Sequence, residues 1–286
     1  MKILIILKKS RGGVGFANKR LSKALEKRGH TTNIFSREED LKSHSFIGSL
    51  FKMRKYLKNI EKEYDVIYTQ DWSLALPLLF PWPIIKKKHF CNFCGNQVGP
   101  TKIFQNFVGV IIKKRLVVVG DSIQKRFPSS KLVYRGVNLK EFRPLKKKRN
   151  YIGWVNKETE EIDENFIKEV SKLAKLKYVV AKKIPPNKMN EFYNKCRIFI
   201  SIPDSSAGFN NVWAESMAAG VPIVIGDDKG LGKHWPYERI RKNKDKIGET
   251  LRIIRQGNKK NYRRWLIKNK ISWEESAIKL EKIFKK

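Results

Sequence analysis

The sequence contains few cysteines, which restricts the kinds of site that the chain can build. Three cysteines occur in 286 residues, and Cys91 and Cys94 form a C-x-x-C pair. A structural zinc site would need a second pair of cysteines or histidines at matching spacing, and the sequence has none, so we expect no metal site. Two interpretations of the pair stay open: a redox couple, and two ordinary reduced thiols.

Acidic residues are also scarce. The sequence has 27 Asp and Glu against 62 Lys and Arg, which gives a formal net charge of +35 at pH 7. An excess of this size attracts nucleic acids, anionic lipid headgroups and phosphorylated substrates alike, so it identifies no partner by itself. Helix-turn-helix spacing, zinc ligands and an RNA-binding aromatic signature are missing, and we therefore expect no specific nucleic-acid partner.

A long uninterrupted apolar run is lacking as well. The longest apolar stretch, Leu74 to Ile85, contains three prolines and is too short to cross a bilayer. The apolar run at the amino terminus is followed at once by Lys8 and Lys9, without a small-residue cleavage site, so it does not have the form of a signal peptide. We expect a cytoplasmic protein, whose contact with the inner membrane face, if any, is peripheral.

One segment would suit such a contact. Phe104 to Ile112 is largely apolar, and basic residues flank it at positions 102 and 113–115. A segment of this kind can lie on an anionic membrane surface, which makes such a surface a candidate partner. An ordinary core helix with a solvated basic end explains the same pattern, and the sequence leaves both interpretations open.

Strands and helices alternate along the whole chain. Apolar, β-branched runs predict strands at 2–7, 32–35, 66–69, 89–93, 116–119, 151–153, 178–180, 198–202 and 222–225, and helical patterns occur at 16–28, 46–60, 161–176, 189–193 and 211–219. This alternation predicts doubly wound parallel sheets. The basic run at 146–149 interrupts the alternation and indicates a linker between two α/β domains, whose carboxyl strand edges would face a ligand-binding cleft.

A glycine-rich turn, Gly12-Gly13-Val14-Gly15, follows the first predicted strand. Glycines let the backbone approach a ligand, and the amino end of the next helix offers free N–H groups to a phosphate. A dinucleotide fingerprint fits poorly, because Asn18 takes the place of the third glycine and Ser36 closes the second strand where an acid would bind ribose. A phosphate or acceptor loop and a simple tight turn remain alternatives.

A second cluster surrounds the start of the helix predicted at 211–219. Gly208 would allow a tight turn before it, and the amides of residues 210–212 would suit a diphosphate. Glu215 lies one turn inside, where its carboxylate can accept hydrogen bonds from a ribose diol. A solvent-facing glutamate is the alternative, but the apolar neighbours of Glu215 argue against it.

The residues of this cluster carry a family resemblance. Gly208-Phe209 and the run from Glu215 to Pro222 resemble the signature of retaining glycosyltransferases with an E-x7-E motif, known as glycosyltransferase family 4. Segments 12–30, 65–72, 135–144 and 272–284 are similar to further landmarks of that family, in the same order. The resemblance implies an α/β GT-B fold of two Rossmann-like domains facing a cleft. Residues 1–144 would form the acceptor domain, 145–271 the nucleotide-sugar domain, and 272–286 a terminal helix that crosses back to the first domain.

The resemblance also implies a reaction and a set of site residues. The reaction is transfer of a sugar from a nucleotide-diphosphate-sugar to a glycan, lipid-linked or protein-linked acceptor, with retention and without a metal or other cofactor. Donor binding is expected at Lys157, Lys182, Gly208, Phe209, Asn210, Asn211 and Glu215. The acceptor or phosphate loop is expected at Gly12, Gly13, Val14, Gly15, Asp71 and Trp72. The candidates for a catalytic role are Cys94, Asp204 and Asn210.

Three positions depart from the family pattern. Ala207 stands where the first motif glutamate would contact the donor sugar, Cys94 where a histidine is expected, and Trp154 where an arginine would bind the diphosphate. Lys157 could supply the missing positive charge. The alternative function is therefore a catalytically impaired GT-B protein that binds nucleotide-sugar and acts as a partner or regulator.

Overall fold

The computed structural model describes residues 1–41, 46–81, 83–84, 88–155, 162–182, 184–202, 209–226, 232, 234–240, 245–257 and 260–286. The chain forms two compact units, Met1–Arg135 with Trp273–Lys286, and Gly136–Ser272. The second unit begins at residue 136, whereas the sequence analysis drew the domain limit after residue 144. Residues 136–144 belong to the second unit because they bind it: Phe142 is fully buried, and its carbonyl oxygen accepts a hydrogen bond from Arg263 at 2.6 Å.

The first unit contains a six-stranded parallel sheet in the order β2-β1-β3-β4-β5-β6. Its strands are β1 (Lys2–Leu7), β2 (Thr31–Ser36), β3 (Val66–Thr69), β4 (His89–Phe93), β5 (Leu116–Val118) and β6 (Lys131–Leu132). Its helices are α1 (Gly12–Glu26), α2 (Arg37–Asp40), α3 (Phe46–Ile60), α4 (Trp72–Leu79), α5 (Thr101–Ile112), α6 (Asp121–Arg126) and the carboxyl-terminal α12 (Trp273–Phe284).

Strand β1 lies between β2 and β3 and contributes to the cores on both faces of this sheet. Ile3 and Ile5 pack with residues of α1 and α12, while Leu4 and Ile6 pack with residues of α3 and α4. Successive side chains of a strand point to opposite faces, so an unbroken apolar run is what a strand covered on both faces requires.

The start of α1 corrects the sequence analysis, which placed the glycine-rich turn before the helix. The helix begins at Gly12, so Gly13, Val14 and Gly15 form its first turn. Gly15 lies against the connection between β1 and α1: a Cβ atom there would stand 2.1 Å from the carbonyl oxygen of Ser10. The glycine thus allows the first turn of the helix to pack closely on this connection.

Helix α4 is absent from the sequence-based prediction, because it contains Pro77. A proline inside a helix removes one backbone hydrogen bond and disturbs the turn before it. The guanidinium of Arg54 caps the carboxyl end of this helix, since its Nη1 donates to the carbonyl oxygens of Pro77 at 2.9 Å and Phe80 at 2.8 Å.

The second unit contains a five-stranded parallel sheet in the order β11-β10-β9-β7-β8. Its strands are β7 (Tyr151–Trp154), β8 (Lys177–Val180), β9 (Cys196–Ser201), β10 (Ile223–Gly226) and β11 (Glu238–Ile240). Its helices are α7 (Glu164–Ala174), α8 (Met189–Lys195), α9 (Asn211–Ala218), α10 (Lys246–Gln256) and α11 (Tyr262–Lys268).

Helix α9 is the most enclosed helix of this unit, with every residue from Val212 to Ala218 buried. Its last carbonyl groups need partners, because a helix cannot satisfy them itself. Arg149 donates to the carbonyl oxygens of Ala219 at 2.8 Å and Gly220 at 2.6 Å. Arg263 donates to Ala218 at 2.9 Å.

The helices of the described part of the chain include none that is both long and apolar enough to cross a membrane.

Replacing Arg263 with methionine should destabilise the second unit. Arg263 also donates to the carbonyl oxygen of Leu139 at 2.8 Å, so the substitution removes charged hydrogen bonds to three carbonyl groups. We expect the free energy of unfolding in urea to fall by about 2–3 kcal/mol. The exposed neighbour Arg264 is the matched control. Arg264→Met should change the free energy of unfolding by less than about 0.5 kcal/mol. Equal effects of the two substitutions would contradict this role.

Candidate functional site

In each sheet there is a point at which the strand order reverses, and helices begin at this point. In the first unit this point lies between β1 and β3, and α1 and α4 begin there. In the second unit it lies between β7 and β9, and α9 begins after β9. Ligands of open parallel sheets bind outside the carboxyl ends of the strands at such points. Each unit therefore has a candidate site of its own.

The site of the first unit is a cavity of about 300 Å³. It is lined by Lys8, Lys9, Arg11, Gly13, Val14, Gln70, Asp71, Cys94, Gly95 and Gln97. The structure thus brings four predicted site residues together: Gly13, Val14, Asp71 and Cys94.

Asp71 is the acidic residue of this cavity. Its Oδ1 accepts a hydrogen bond from the backbone N–H of Trp72 at 2.6 Å. Burial raises the pKa of the Asp71 carboxyl to about 6, against the opposing effects of that hydrogen bond and of Lys8. The group can therefore exchange a proton close to neutral pH.

Cys94 lies in a cluster of polar side chains. Its Sγ accepts from Nη2 of Arg135 at 2.9 Å and from Nδ2 of Asn92 at 3.3 Å. Burial raises the pKa of the Cys94 thiol, and Arg135 only partly opposes this, so the thiol stays neutral at pH 7. A neutral thiol is a poor nucleophile, which favours a positioning role for Cys94 over a covalent one.

Gln70 extends this cluster toward the cavity. Its Oε1 accepts from Nδ2 of Asn92 at 2.7 Å, and the side chain is 5% exposed. Among the described residues, the Nε2 group of Gln70 is buried and has no close hydrogen-bond partner. A buried amide in this state is costly, and a ligand hydroxyl in the cavity would satisfy it.

Three residues expected in the acceptor loop do not line the cavity. The ring of Trp72 stacks on Phe104 with 5.6 Å between centroids and is largely buried. Gly12 and Gly15 shape the start of α1, with φ +75° at Gly12 and the close approach to Ser10 at Gly15.

The site of the second unit is built on the amino end of α9. Asn210 precedes the helix in an extended conformation, Asn211 is its first residue, and its first turn contains no acidic side chain. The indole Nε1 of Trp213 donates to Oγ of Ser201 at 2.9 Å, which ties α9 to the end of β9. The ring of Phe209 packs on Trp213 and Trp235, so this predicted donor residue is part of the core.

Glu215 is 8% exposed, one turn inside α9. The hydroxyl of Tyr193, in α8, donates to its Oε2 at 3.0 Å. The sequence analysis did not associate Tyr193 with this site, since 22 residues separate the two in the chain. The contact orients the carboxylate on a rigid helix.

The remaining predicted residues are distributed around this edge of the sheet. Lys182 is exposed just after β8. Trp154 ends β7 and is buried among core isoleucines. Its neutral indole therefore packs in the core and cannot replace the charge of a ligand-binding arginine. Lys157, Asp204, Ala207 and Gly208 lie outside the described residues.

The sequence analysis missed the basic residues at the cavity of the first unit. Lys8, Lys9 and Arg11 line it directly after β1. Their position after a strand at the reversal point was the available signal. All three cysteines are free thiols. The described residues contain no group of three or more His, Cys, Asp or Glu side chains that could hold a metal ion.

No protein-family model and no curated protein matches the sequence. Solved structures do match its fold. A glycosyltransferase from Rickettsia africae is 17% identical, with a TM-score of 0.73, and the match covers 99% of this chain and 97% of that one. Sucrose-phosphate synthase from Thermosynechococcus elongatus is 13% identical, with a TM-score of 0.71 and coverage of 100% and 98%. HepE from Anabaena, in complex with UDP and glucose, is 11% identical, with a TM-score of 0.68 and coverage of 99% and 98%. These likenesses establish that the chain has the GT-B fold of two Rossmann-like parallel sheets, as the sequence predicted.

Proposed function

We propose that this protein is a glycosyltransferase, which moves a sugar from a nucleotide-diphosphate-sugar to an acceptor hydroxyl with retention at the anomeric carbon and without a metal. The observation that carries the proposal is the start of α9 at the reversal point of the second sheet, with buried Glu215 one turn inside. The fold shared over nearly the full length with glycosyltransferase structures, one of them containing UDP and glucose, supports it.

In this proposal the donor binds the second unit. The backbone N–H groups at the start of α9 bind the diphosphate, and Glu215, oriented by Tyr193, accepts hydrogen bonds from the ribose hydroxyls. Negative charge grows on the leaving nucleoside diphosphate during transfer. The amides would stabilise that charge and lower the barrier to transfer. Lys182 and Lys157, each of which follows the end of a strand in the sequence, would contribute to the same effect.

The acceptor binds the cavity of the first unit. Asp71 and Gln70 are placed to orient the accepting hydroxyl, through a carboxylate that accepts a hydrogen bond and an amide that donates one. Lys8, Lys9 and Arg11 line the same cavity, which suits an acceptor that carries a phosphate or carboxylate. Glycan, lipid-linked and protein-linked acceptors can all meet this condition.

Replacing Glu215 with glutamine should weaken nucleotide binding. Glutamine keeps the shape and can still accept from Tyr193, but it removes the charge that strengthens hydrogen bonds from ribose. We expect the affinity for the preferred nucleoside diphosphate to fall roughly 10- to 100-fold in calorimetry. A thermal-shift screen of UDP, GDP, ADP and CMP selects the nucleotide, with UDP tested first.

The control for this substitution is Glu164→Gln in the same unit. Glu164 also accepts a hydrogen bond from a tyrosine, Tyr178 at 3.2 Å, but on an exposed surface of α7. The nucleotide affinity of the Glu164→Gln variant should match that of the unchanged protein. If Glu215→Gln binds every nucleotide as tightly as this control, Glu215 does not contact the donor.

The activity should depend on pH through Asp71. Because the pKa of its carboxyl is raised to about 6, the group is ionised above that pH and protonated below it. If the ionised form orients the acceptor, kcat/KM falls as the pH drops through about 6. Asp71→Asn should lower kcat/KM and remove this acidic limb, whereas Asp65→Asn, at the other end of β3, should keep it. If the acidic limb of the pH profile persists in Asp71→Asn, another group causes it.

A protein that binds nucleotide-sugar without turnover is the second candidate. The burial of Trp154 favours it, because the resemblance places a diphosphate-binding arginine at this position. Ala207→Glu distinguishes the two functions. If the unchanged protein turns over nucleotide-sugars from a broad panel, the enzyme proposal holds. If it only binds them and Ala207→Glu starts turnover, the second candidate replaces the enzyme proposal.

A further inference from the structure

Helix α5 presents an apolar face to the outside of the first unit. The outward side chains are Ile103, Phe104, Phe107, Val110 and Ile111, and the exposed fraction reaches 70% at Ile103 and 62% at Val110. A surface helix ordinarily turns polar side chains outward. A continuous exposed apolar stripe of this kind indicates an interaction surface.

The opposite face of α5 fixes the helix so that this stripe cannot turn inward. The buried Gln105 accepts from the backbone N–H of Gln97 at 3.0 Å and from Arg126 at 2.9 Å, and donates to the carbonyl oxygen of Gly95 at 2.8 Å. Gly109 lies so close to Phe127 that a Cβ atom would stand 2.4 Å from its ring. The outward orientation is therefore part of the folded structure.

The charged residues in the chain segment that carries the stripe are all basic. No Asp or Glu occurs between Asp71 and Asp121, while seven Lys and Arg residues do. Lys102 in the first turn of α5 and Lys113 and Lys114 just beyond its end are exposed. The stripe thus has cations at both ends.

We propose that the outward face of α5 is a membrane-docking surface, which inserts its apolar side chains among the lipids of an anionic bilayer while its flanking lysines contact the headgroups. Such a surface gains from apolar insertion and from charge together. A second copy of the chain is a poorer occupant, because a two-fold interface would bring the same lysines against each other. The inference is independent of the proposed glycosyl transfer.

Vesicle co-sedimentation of the full chain tests the apolar half of this surface. The probes are vesicles of phosphatidylcholine alone and of an equal mixture with phosphatidylglycerol. We expect binding to the anionic vesicles only, and at least about tenfold weaker binding for Ile103→Gln with Val110→Gln, which leaves the net charge unchanged. Leu173→Gln with Ile267→Gln, two exposed apolar residues of the second unit, should bind like the unchanged protein.

A second pair of variants tests whether the charge acts locally. Lys102→Gln with Lys114→Gln should weaken binding about fivefold for each charge removed. Lys172→Gln with Lys268→Gln removes the same charge from exposed sites of the second unit and should have a smaller effect. Thermal midpoints of all variants verify that the fold is intact, and the single substitutions Ile103→Gln and Val110→Gln should give intermediate affinities.

Three results would overturn the proposal. Absence of binding to anionic vesicles removes the membrane as the occupant. Unchanged binding of Ile103→Gln with Val110→Gln shows that the overall positive charge holds the protein on the vesicles. Self-association in analytical ultracentrifugation that this pair abolishes assigns the stripe to a second copy of the chain.

Discussion

The site of the second unit depends on satisfying both ends of one buried helix. Residues 212–218 of helix α9 are buried, so its terminal backbone groups need partners from the protein or from a ligand. Arg149 and Arg263 satisfy the carboxyl end, and the guanidinium suits this task because it carries several donors in a fixed plane. The amino end lies at the reversal point of the sheet, where phosphate oxygens can accept from the N–H groups. The two arginines therefore hold the helix that carries Glu215.

Local sequence patterns predicted nine of the eleven strands that the structure describes, because the signal for a doubly covered strand lies within the strand itself. The two strands that were not predicted, β6 and β11, are short and lie at sheet edges. The bounds of β1 and α3 agree with the sequence, and Gly220 ends the α9 segment with φ +72°. The early start of α1 and the existence of α4 could not be predicted in this way. The start of α1 depends on the exact backbone path that brings Gly15 close to Ser10, and α4 is capped by Arg54 from a segment 23 residues away.

The same distinction applies to the candidate sites. The sequence analysis expected Gly13, Asp71 and Cys94 at the site through the family resemblance. The structure brings them to one cavity because they follow parallel strands, whose carboxyl ends meet at one edge. The contact of Arg135 with Cys94 joins residues 41 positions apart, and nothing in either local sequence indicates it. Trp154 shows the opposite limit: the sequence analysis compared it with a ligand-binding arginine, and its burial shows that it serves the core.

The large positive charge divides between two kinds of residue with different functions. Several arginines are used inside the fold, where Arg54, Arg126, Arg149 and Arg263 donate to backbone carbonyl groups. The charge of arginines that bond to carbonyl groups of the protein itself is not evidence for an anionic partner. Exposed lysines occur on the surfaces of both units, so exposure alone does not indicate a partner. Lys8 and Lys9 line the cavity at Asp71, and Lys102, Lys113 and Lys114 flank the apolar face of α5. The positive charge supports a role in binding only where it adjoins a feature of this kind.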